Sequence, residues 1–375
     1  GLMPLVLGGS SAAAGGFSVD NSCRFDDGAS AYMHKTFGAG GATKKWTFST
    51  WYKRGNISSA APMNLFGGEK TASLYTDVMI GNPIGAGDFL WWKQDTGTVA
   101  ELKTTQVLRD TSWYHIVFVY DSAQAVASDR NIMYLNGARI TSFVTETNVA
   151  QDVDSYVVSD GDKAYVGVYD ASSKWLDGYL AETILIDDQA LTPSSFGEFN
   201  EDSPTIWQPI DLSDLSVGTQ GFYLDYKDSA NLGNDASGGT DLTEVNIDAT
   251  DQATDSPTNN FCVINVLDNY YNASTFSEGN CQMVTGTTSY TWNTGTIGLS
   301  TGKWYWETEL DAEPSLGNTL FGVADRPSGA ADQELGDLAT TYAYLSSGRF
   351  RTNNSQTAAD YTAFAPNDIV GFALN

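Results

Sequence analysis

The stretch WLDGYLAETILIDDQALTPSSFGEFN, Trp175 to Asn200, decides how the chain is read. Gly178 to Asp187 predicts a strand, rich in Tyr, Leu, Ile and Thr and closed by a turn. LTPSSFGEF then predicts the start of a short helix. Thr192 stands at its N-cap and Pro193 at its first helical position, where a missing N–H costs nothing.

Working outward, Phe17 to about Asn200 reads as many short strands separated by Gly, Asn, Asp and Ser. KKWTFSTWYKR (Lys44 to Arg54) alternates apolar with polar. DFLWWKQD (Asp88 to Asp95), SWYHIVFVYD (Ser112 to Asp121), RNIMYLNGARI (Arg130 to Ile140) and KAYVGVYD (Lys163 to Asp170) follow. Asn136-Gly137 is a hairpin-turn signal. Helical periodicity is almost absent, so the expectation is a β-sandwich or barrel. In this order WTFSTWYKR, SWYHIVFVYD, IMYLNGARI and LDGYLAETILIDDQALTPSSF resemble the laminin-G-like, concanavalin-A-like jelly-roll domains, over roughly residues 17 to 200. The resemblance implies two antiparallel sheets packed face to face. Domains of that family commonly bind carbohydrate or protein at one rim or on the concave sheet, sometimes with Ca²⁺.

After Asn200 the composition changes. KDSANLGNDASGGTDLTEVNIDATDQATDSPTNN is polar, and the segment has one hydrophobic run, GFYLDY (Gly221 to Tyr226). It reads as a linker carrying one strand. GFYLDYKDSANLGNDASG with TDSPTNNFCVINVLDN resembles a connecting segment of tailed-phage structural proteins, many from marine phages. From Asn260 strands return: KWYWETEL (Lys303 to Leu310), TLFGVAD (Thr319 to Asp325), TYAYLSSGRF (Thr341 to Phe350) and NDIVGFALN (Asn367 to Asn375). They resemble a SPRY-type sandwich, which normally continues into a further strand pair. The resemblance therefore implies a longer parent chain or a partner that completes the sheet. The expected organisation is an N-terminal arm over 1–16, a laminin-G-like jelly roll over 17–205, a polar linker with one strand over 206–258, and a SPRY-like domain, truncated at its C-terminus, over 259–375. The fold class expected is all-β, two antiparallel sandwiches.

Composition bounds the function. The chain has 375 residues, enough for two or three domains, and carries 46 acidic against 19 basic side chains, a net −27. Such a surface repels phosphate and anionic lipid, so neither nucleic-acid binding nor membrane docking is expected. It reads first as a solubility or high-salt surface; the sharper reading is that Asp and Asn clusters hold Ca²⁺. No apolar run approaches the ~20 residues that span a bilayer. The start GLMPLVLGGSSAAAGG lacks a basic leader and has its apolar run broken by Pro4, so it reads as an extended arm, flexible or anchored to a partner. Cys23, Cys262 and Cys281 are odd in number and widely spaced, which predicts buried free thiols of a reducing cytoplasm.

For chemistry, Glu309, Asp311 and Glu313 at the end of KWYWETELDAEP form an acidic triplet. Paired carboxylates at that spacing can cleave a glycosidic bond if they share one strand face. Here the triplet runs off the strand into Pro314, and the Trp304/Trp306 pair reads as core, so catalysis is not expected. The two histidines, His34 and His115, have no zinc-spaced partners, and no Ser-His-Asp constellation is readable. Sugar binding needs aromatic faces with amide or carboxylate groups nearby. Trp91 and Trp92 point to opposite faces of one strand, so one is core and the other open. Trp92, Trp175 and Asp177 are the expected ligand-binding residues.

The expectation is a virion structural protein of a tailed phage, appendage or tail-fibre-like and not an enzyme. It would present glycan- or protein-binding surfaces to the host. Its partners would be other virion proteins gripped through the arm, a host-surface glycan or protein, and further copies of itself. No cofactor is expected beyond Ca²⁺, and the site of action is the virion, assembled in the host cytoplasm. The alternatives are a capsid decoration or adaptor subunit with no ligand, a polysaccharide-degrading enzyme, and a secreted bacterial lectin.

Overall fold

The computed structural model describes all residues except 1–16, 56–61, 82–88, 109–110, 267, 269–273, 287–290, 300, 314–316, 326–332 and 358–360. The expected arm over 1–16 and Pro314 lie outside the described residues. Two compact units form: residues 17–261 with 277–279, and residues 262–276 with 280–375.

The first unit is built from β1 (Ser22–Phe25), β2 (Tyr32–Thr36), β3 (Lys45–Arg54), β4 (Met63–Thr71), β5 (Leu74–Ile80), β6 (Phe89–Asp95), β7 (Val99–Val107), β8 (Trp113–Asp121), β9 (Asn131–Leu135), β10 (Ala138–Arg139), β11 (Phe143–Thr147), β12 (Lys163–Val166), β13 (Gly178–Asp187), β14 (Gly197–Phe199), β15 (Trp207–Pro209), β16 (Phe222–Leu224), β17 (Thr243–Val245) and β18 (Gln252–Ala253). One sheet runs β10-β9-β8-β3-β13-β1-β18, with β16 also on β13; the other runs β11-β7-β6-β5-β4-β12-β2-β17. All named pairings are antiparallel, and the two sheets make a concanavalin A-like jelly-roll sandwich. The period-2 pattern drives this: alternate residues of each strand turn inward. Trp46, Phe48, Phe66, Trp92, Phe118 and Tyr120 are all fully buried between the sheets. Phe48 stacks on Phe66 at 4.4 Å and Trp92 on Phe118 at 5.1 Å.

The predicted turn at Asn136-Gly137 closes β9 on β10, and both residues have positive φ (47° and 79°), the signature of a type I′ hairpin. Pro193–Ser195 is a single 3₁₀ turn with Thr192 at its N-cap. The Thr192 hydroxyl does not cap the backbone; it bonds the Ser194 hydroxyl at 2.9 Å. In β13 the pairing with β3 slips between Ala181 and Ile184, and Glu182 takes φ 47° at the bulge. That leaves the Glu182 carboxyl buried, where the Tyr223 hydroxyl donates to it.

Residues 206–258 are not a linker. β16 pairs β13, β17 pairs β2 and β18 pairs β1, so the segment adds strands to both sheets. Its few large apolar residues are the cause. Phe222, Leu224, Tyr226, Leu232 and Leu242 are sparse in sequence but all buried in the main core. Its end clasps the start of the unit: Val19 N–H donates to Thr258 Oγ1 (2.9 Å), Ser256 Oγ to Val19 O (2.5 Å) and Ser22 Oγ to Asp255 O (2.6 Å). Lys53, fully buried, donates to Asp255 Oδ2 (2.6 Å), Asn260 Oδ1 (2.9 Å) and Phe261 O (2.9 Å).

The second unit carries its strands where the pattern places them. Trp304–Glu309 pairs Ile369–Leu374, and Leu320–Ala324, Thr341–Leu345, Phe350–Thr352 and Ser355–Gln356 form a four-stranded sheet. Trp304, Trp306 and Thr308 are half-buried while Tyr305, Glu307 and Glu309 are exposed, and Trp306 stacks on Phe372 at 5.0 Å. Cys23 is buried as expected, but Cys262 and Cys281 are exposed.

Candidate functional site

Register fixes which side chains share the outward face of the second sheet. Directly paired residues lie on one face. One row reads Lys103, Trp91, Met79, Asn64 across β7, β6, β5 and β4. The next reads Glu101, Lys93, Asp77, Gly67, Tyr165, His34, Thr243, from β7 to β17. A third reads Asp95, Tyr75, Glu69, Lys163, Thr36, from β6 to β2. Aromatic and charged side chains thus line the face opposite the core, but Trp91, Met79, Asn64, Asp77, Tyr75 and Tyr165 are buried on it, so Trp91 is not the open member of its pair.

Three rings form its more open part. Tyr32 and His34 are half-buried and Tyr165 lies below them, with centroids 5.8, 6.2 and 6.1 Å apart. Lys163 and Thr243 stand exposed beside them. Burial pushes the Tyr165 hydroxyl up to about 12, so it stays a neutral donor. Burial, then Lys163, lowers His34, which favours the neutral imidazole. Towards β6, Lys103 Nζ lies 5.0 Å and Lys93 Nζ 6.0 Å from the Trp91 ring.

Between these parts the turn around Tyr169–Ser173 leans on the sheet. Lys174 O accepts Asn64 N–H (2.9 Å), and Lys174 Nζ sits 3.7 Å over the Tyr169 ring. Beneath it three buried polar atoms lack a hydrogen-bond partner: Asp77 Oδ2, Asn64 Oδ1 and Trp91 Nε1. Burial pushes the Asp77 carboxyl well up, partly held back by Lys174, and lowers Lys174, partly held back by Asp77. Rings for C–H stacking with exposed polar groups nearby are the two ingredients of saccharide recognition, and the Tyr32–His34–Tyr165 end of the face has both, in its rings and in Lys163 and Thr243. Sequence reasoning singled out none of Tyr32, Tyr165, Asp77 or Lys174; the alternation of YMHKT and KAYVGVYD held the signal, but not which face lies open.

The expected ligand residues are not brought together. Trp92 is fully buried against Phe118, because strand parity turns Trp91 outward and Trp92 into the core. Trp175 is half-buried with an unpartnered indole N–H. Asp177 is buried just before β13, its carbonyl accepting the Gly55 N–H and the Tyr52 hydroxyl. Burial, then Asp27, Asp26 and Glu278, lifts its carboxyl to about 7, so it is no open sugar ligand. Among the described residues no group of three or more His, Cys, Asp or Glu converges as a metal site.

His115, the other histidine, is buried on the outward face of the first sheet. Trp207 Nε1–H donates to its Nδ1 (2.9 Å), so Nε2 carries the proton and donates to Ser49 Oγ (2.9 Å). In that tautomer it cannot take the Ser49 proton, and it reads as structural. In the second unit, Glu313 Oε1 accepts Asn318 N–H, Thr319 N–H and the Ser346 hydroxyl, and Asp311 Oδ2 accepts Gln282 Nε2. Only Glu309 of that triplet is on the strand.

The chain shows partial likeness to several solved structures. A heptameric SAP-like pentraxin from Limulus polyphemus is 16% identical, with 46% of this chain and 78% of that chain covered and a TM-score of 0.34. The enzymatically active domain of tailspike protein 2 from bacteriophage CBA120 is 11% identical, with 48% and 28% covered and a TM-score of 0.34. The CBM40 of the Ruminococcus gnavus IT-sialidase is 12% identical, with 47% and 96% covered and a TM-score of 0.32. No curated protein sequence matches the chain. Residues 26–195 match the Laminin_G_3 family model, the concanavalin A-like lectin/glucanases superfamily.

Proposed function

We propose that the first unit binds carbohydrate on the outward face of its second sheet, and that the chain is a virion structural protein of a tailed phage, appendage or tail-fibre-like, without catalytic activity of its own. The carrying observation is the Tyr32–His34–Tyr165 ring platform, with Lys163 and Thr243 exposed on the neighbouring positions. The superfamily match over residues 26–195 supports a lectin-like role for the same unit. The virion reading rests on the resemblance of GFYLDYKDSANLGNDASG and TDSPTNNFCVINVLDN to phage connecting segments. The SPRY-type reading of the second unit belongs to the same proposal. Weak sites repeated on an oligomer would suffice for adhesion through avidity.

The test is a glycan array with the purified chain, run with Ca²⁺ and with EDTA, while release of reducing sugar is followed in parallel. Saturable binding without release, lost in Tyr165→Ala, supports the reading. Release of sugar overturns the non-catalytic part. Absence of binding to any glycan overturns the lectin part and favours a decoration or adaptor subunit.

A further inference from the structure

The two sheets part along one side, where edge strand β10 of the first faces edge strand β11 of the second. The connection from β10 to β11 crosses this seam and leaves a cleft of about 180 Å³. That is smaller than a pocket for a whole drug-sized ligand and suits a single substituent of a sugar. The cleft is separate from the ring platform, and nothing in the glycan-face reading requires it.

Its lining is specific. Ile140 and Phe143 supply apolar surface, Arg139 and Glu146 supply charge, and two amides stand among them, Asn131 and Asn148. Arg139 is already engaged, donating to Ser128 O and Asp129 Oδ1, both at 2.7 Å. Asn131 is only 2% exposed; its Oδ1 accepts Val149 N–H at 3.3 Å, which fixes its orientation, but its Nδ2 has no acceptor. Asn148 has the complementary deficit. Its Nδ2 donates to Glu146 Oε1 at 3.3 Å, and its Oδ1 has no donor. A buried donor or acceptor left unpaired is costly, so such groups usually mark a missing partner.

We infer that this cleft is a saccharide subsite that takes the acetamido group of an N-acetylated amino sugar. The acetamido carbonyl would accept from Asn131 Nδ2, its N–H would donate to Asn148 Oδ1, and its methyl would lie on Ile140 and Phe143. A plain hexose has no group that fills both roles and adds a methyl. Reaching the two amide atoms takes a side-chain rotation at the half-buried Asn148, a change common at binding sites.

The test is saturation-transfer NMR on the full chain with N-acetylglucosamine, glucosamine and glucose. The expected result is saturation of N-acetylglucosamine alone, strongest at the acetyl methyl. Affinity should fall about tenfold in Asn131→Asp and again in Asn148→Leu. Asn148 is half-buried, so its variant keeps the test open if the Asn131 variant does not fold. Equal saturation of the three sugars, strongest transfer to ring protons, or an unaltered affinity in Asn148→Leu would each overturn the assignment.

Discussion

Replacing His115 with Gln tests the reading of this histidine as a neutral, buried strut. Its ring lies 4.8 Å from Trp51 and 5.9 Å from Trp207, and both ring nitrogens are hydrogen-bonded. Burial depresses its pKa from 6.5 to about 3. The unfolded chain takes up a proton below 6.5 that the folded chain refuses until about 3. The histidine's contribution is therefore complete above pH 6.5 and falls as pH drops through that window. At pH 4.5 the loss is two pH units below the unfolded value, about 2.7 kcal/mol at 1.36 kcal/mol per unit. The size depends on the test pH and the unfolded pKa alone, provided the folded value lies below 4.5. H115Q cannot titrate. Its stability deficit against the wild type should therefore shrink by about 2.7 kcal/mol between pH 7.5 and pH 4.5. Urea unfolding followed by tryptophan fluorescence measures this at both values, and His34 and the buried carboxylates cancel between the two proteins. A deficit that stays the same at both pH values would refute a neutral His115.

Glu182 should behave with the opposite sign. Burial lifts its pKa from 4.5 to about 7, so the folded chain keeps a proton that the unfolded chain loses, and stability falls as pH rises through that range. Against E182Q, the wild type should lose about 2.5 kcal/mol between pH 5 and pH 8 in the same urea experiment. Lys53→Met leaves the Asp255 carboxylate buried without its cation and should cost about 3–5 kcal/mol in thermal or urea unfolding; adding Asp255→Leu should restore much of it. Trp92→Ala should destabilise the first unit by about 3–5 kcal/mol, a core truncation. Tyr32→Ala should leave the melting temperature in place while weakening glycan binding about tenfold in a titration.

The jelly roll was legible because its strands carry strong alternation. KWTFSTWYKR and WYHIVFVYD became the paired centre of the first sheet, Lys45 opposite Asp121 through Lys53 opposite Trp113. Residues 206–258 were illegible for a physical reason. Local composition averages over many polar loop residues, while burial is decided by a few side chains such as Phe222 and Leu242 that find their core far away in sequence. The site suffered from a parity problem. Adjacent Trp91 and Trp92 guarantee that one is inward, but which one depends on the partners β5 and β7, and long-range register is not written in a seven-residue strand. Asp177 looked like a rim ligand because carboxylates favour turns; its burial against Gly55 comes from tertiary packing.

The clasp at Val19, Ser22, Asp255, Ser256 and Thr258 has a mechanical consequence. The chain enters and leaves the first sandwich at neighbouring points, and Lys53 pins the departing segment there. A pull applied through residue 17 on one side and residue 261 on the other therefore runs through this short seam and does not cross the sandwich. The load would open the clasp before it sheared any sheet. The ring platform, which lies outside that load path, would keep its shape under tension.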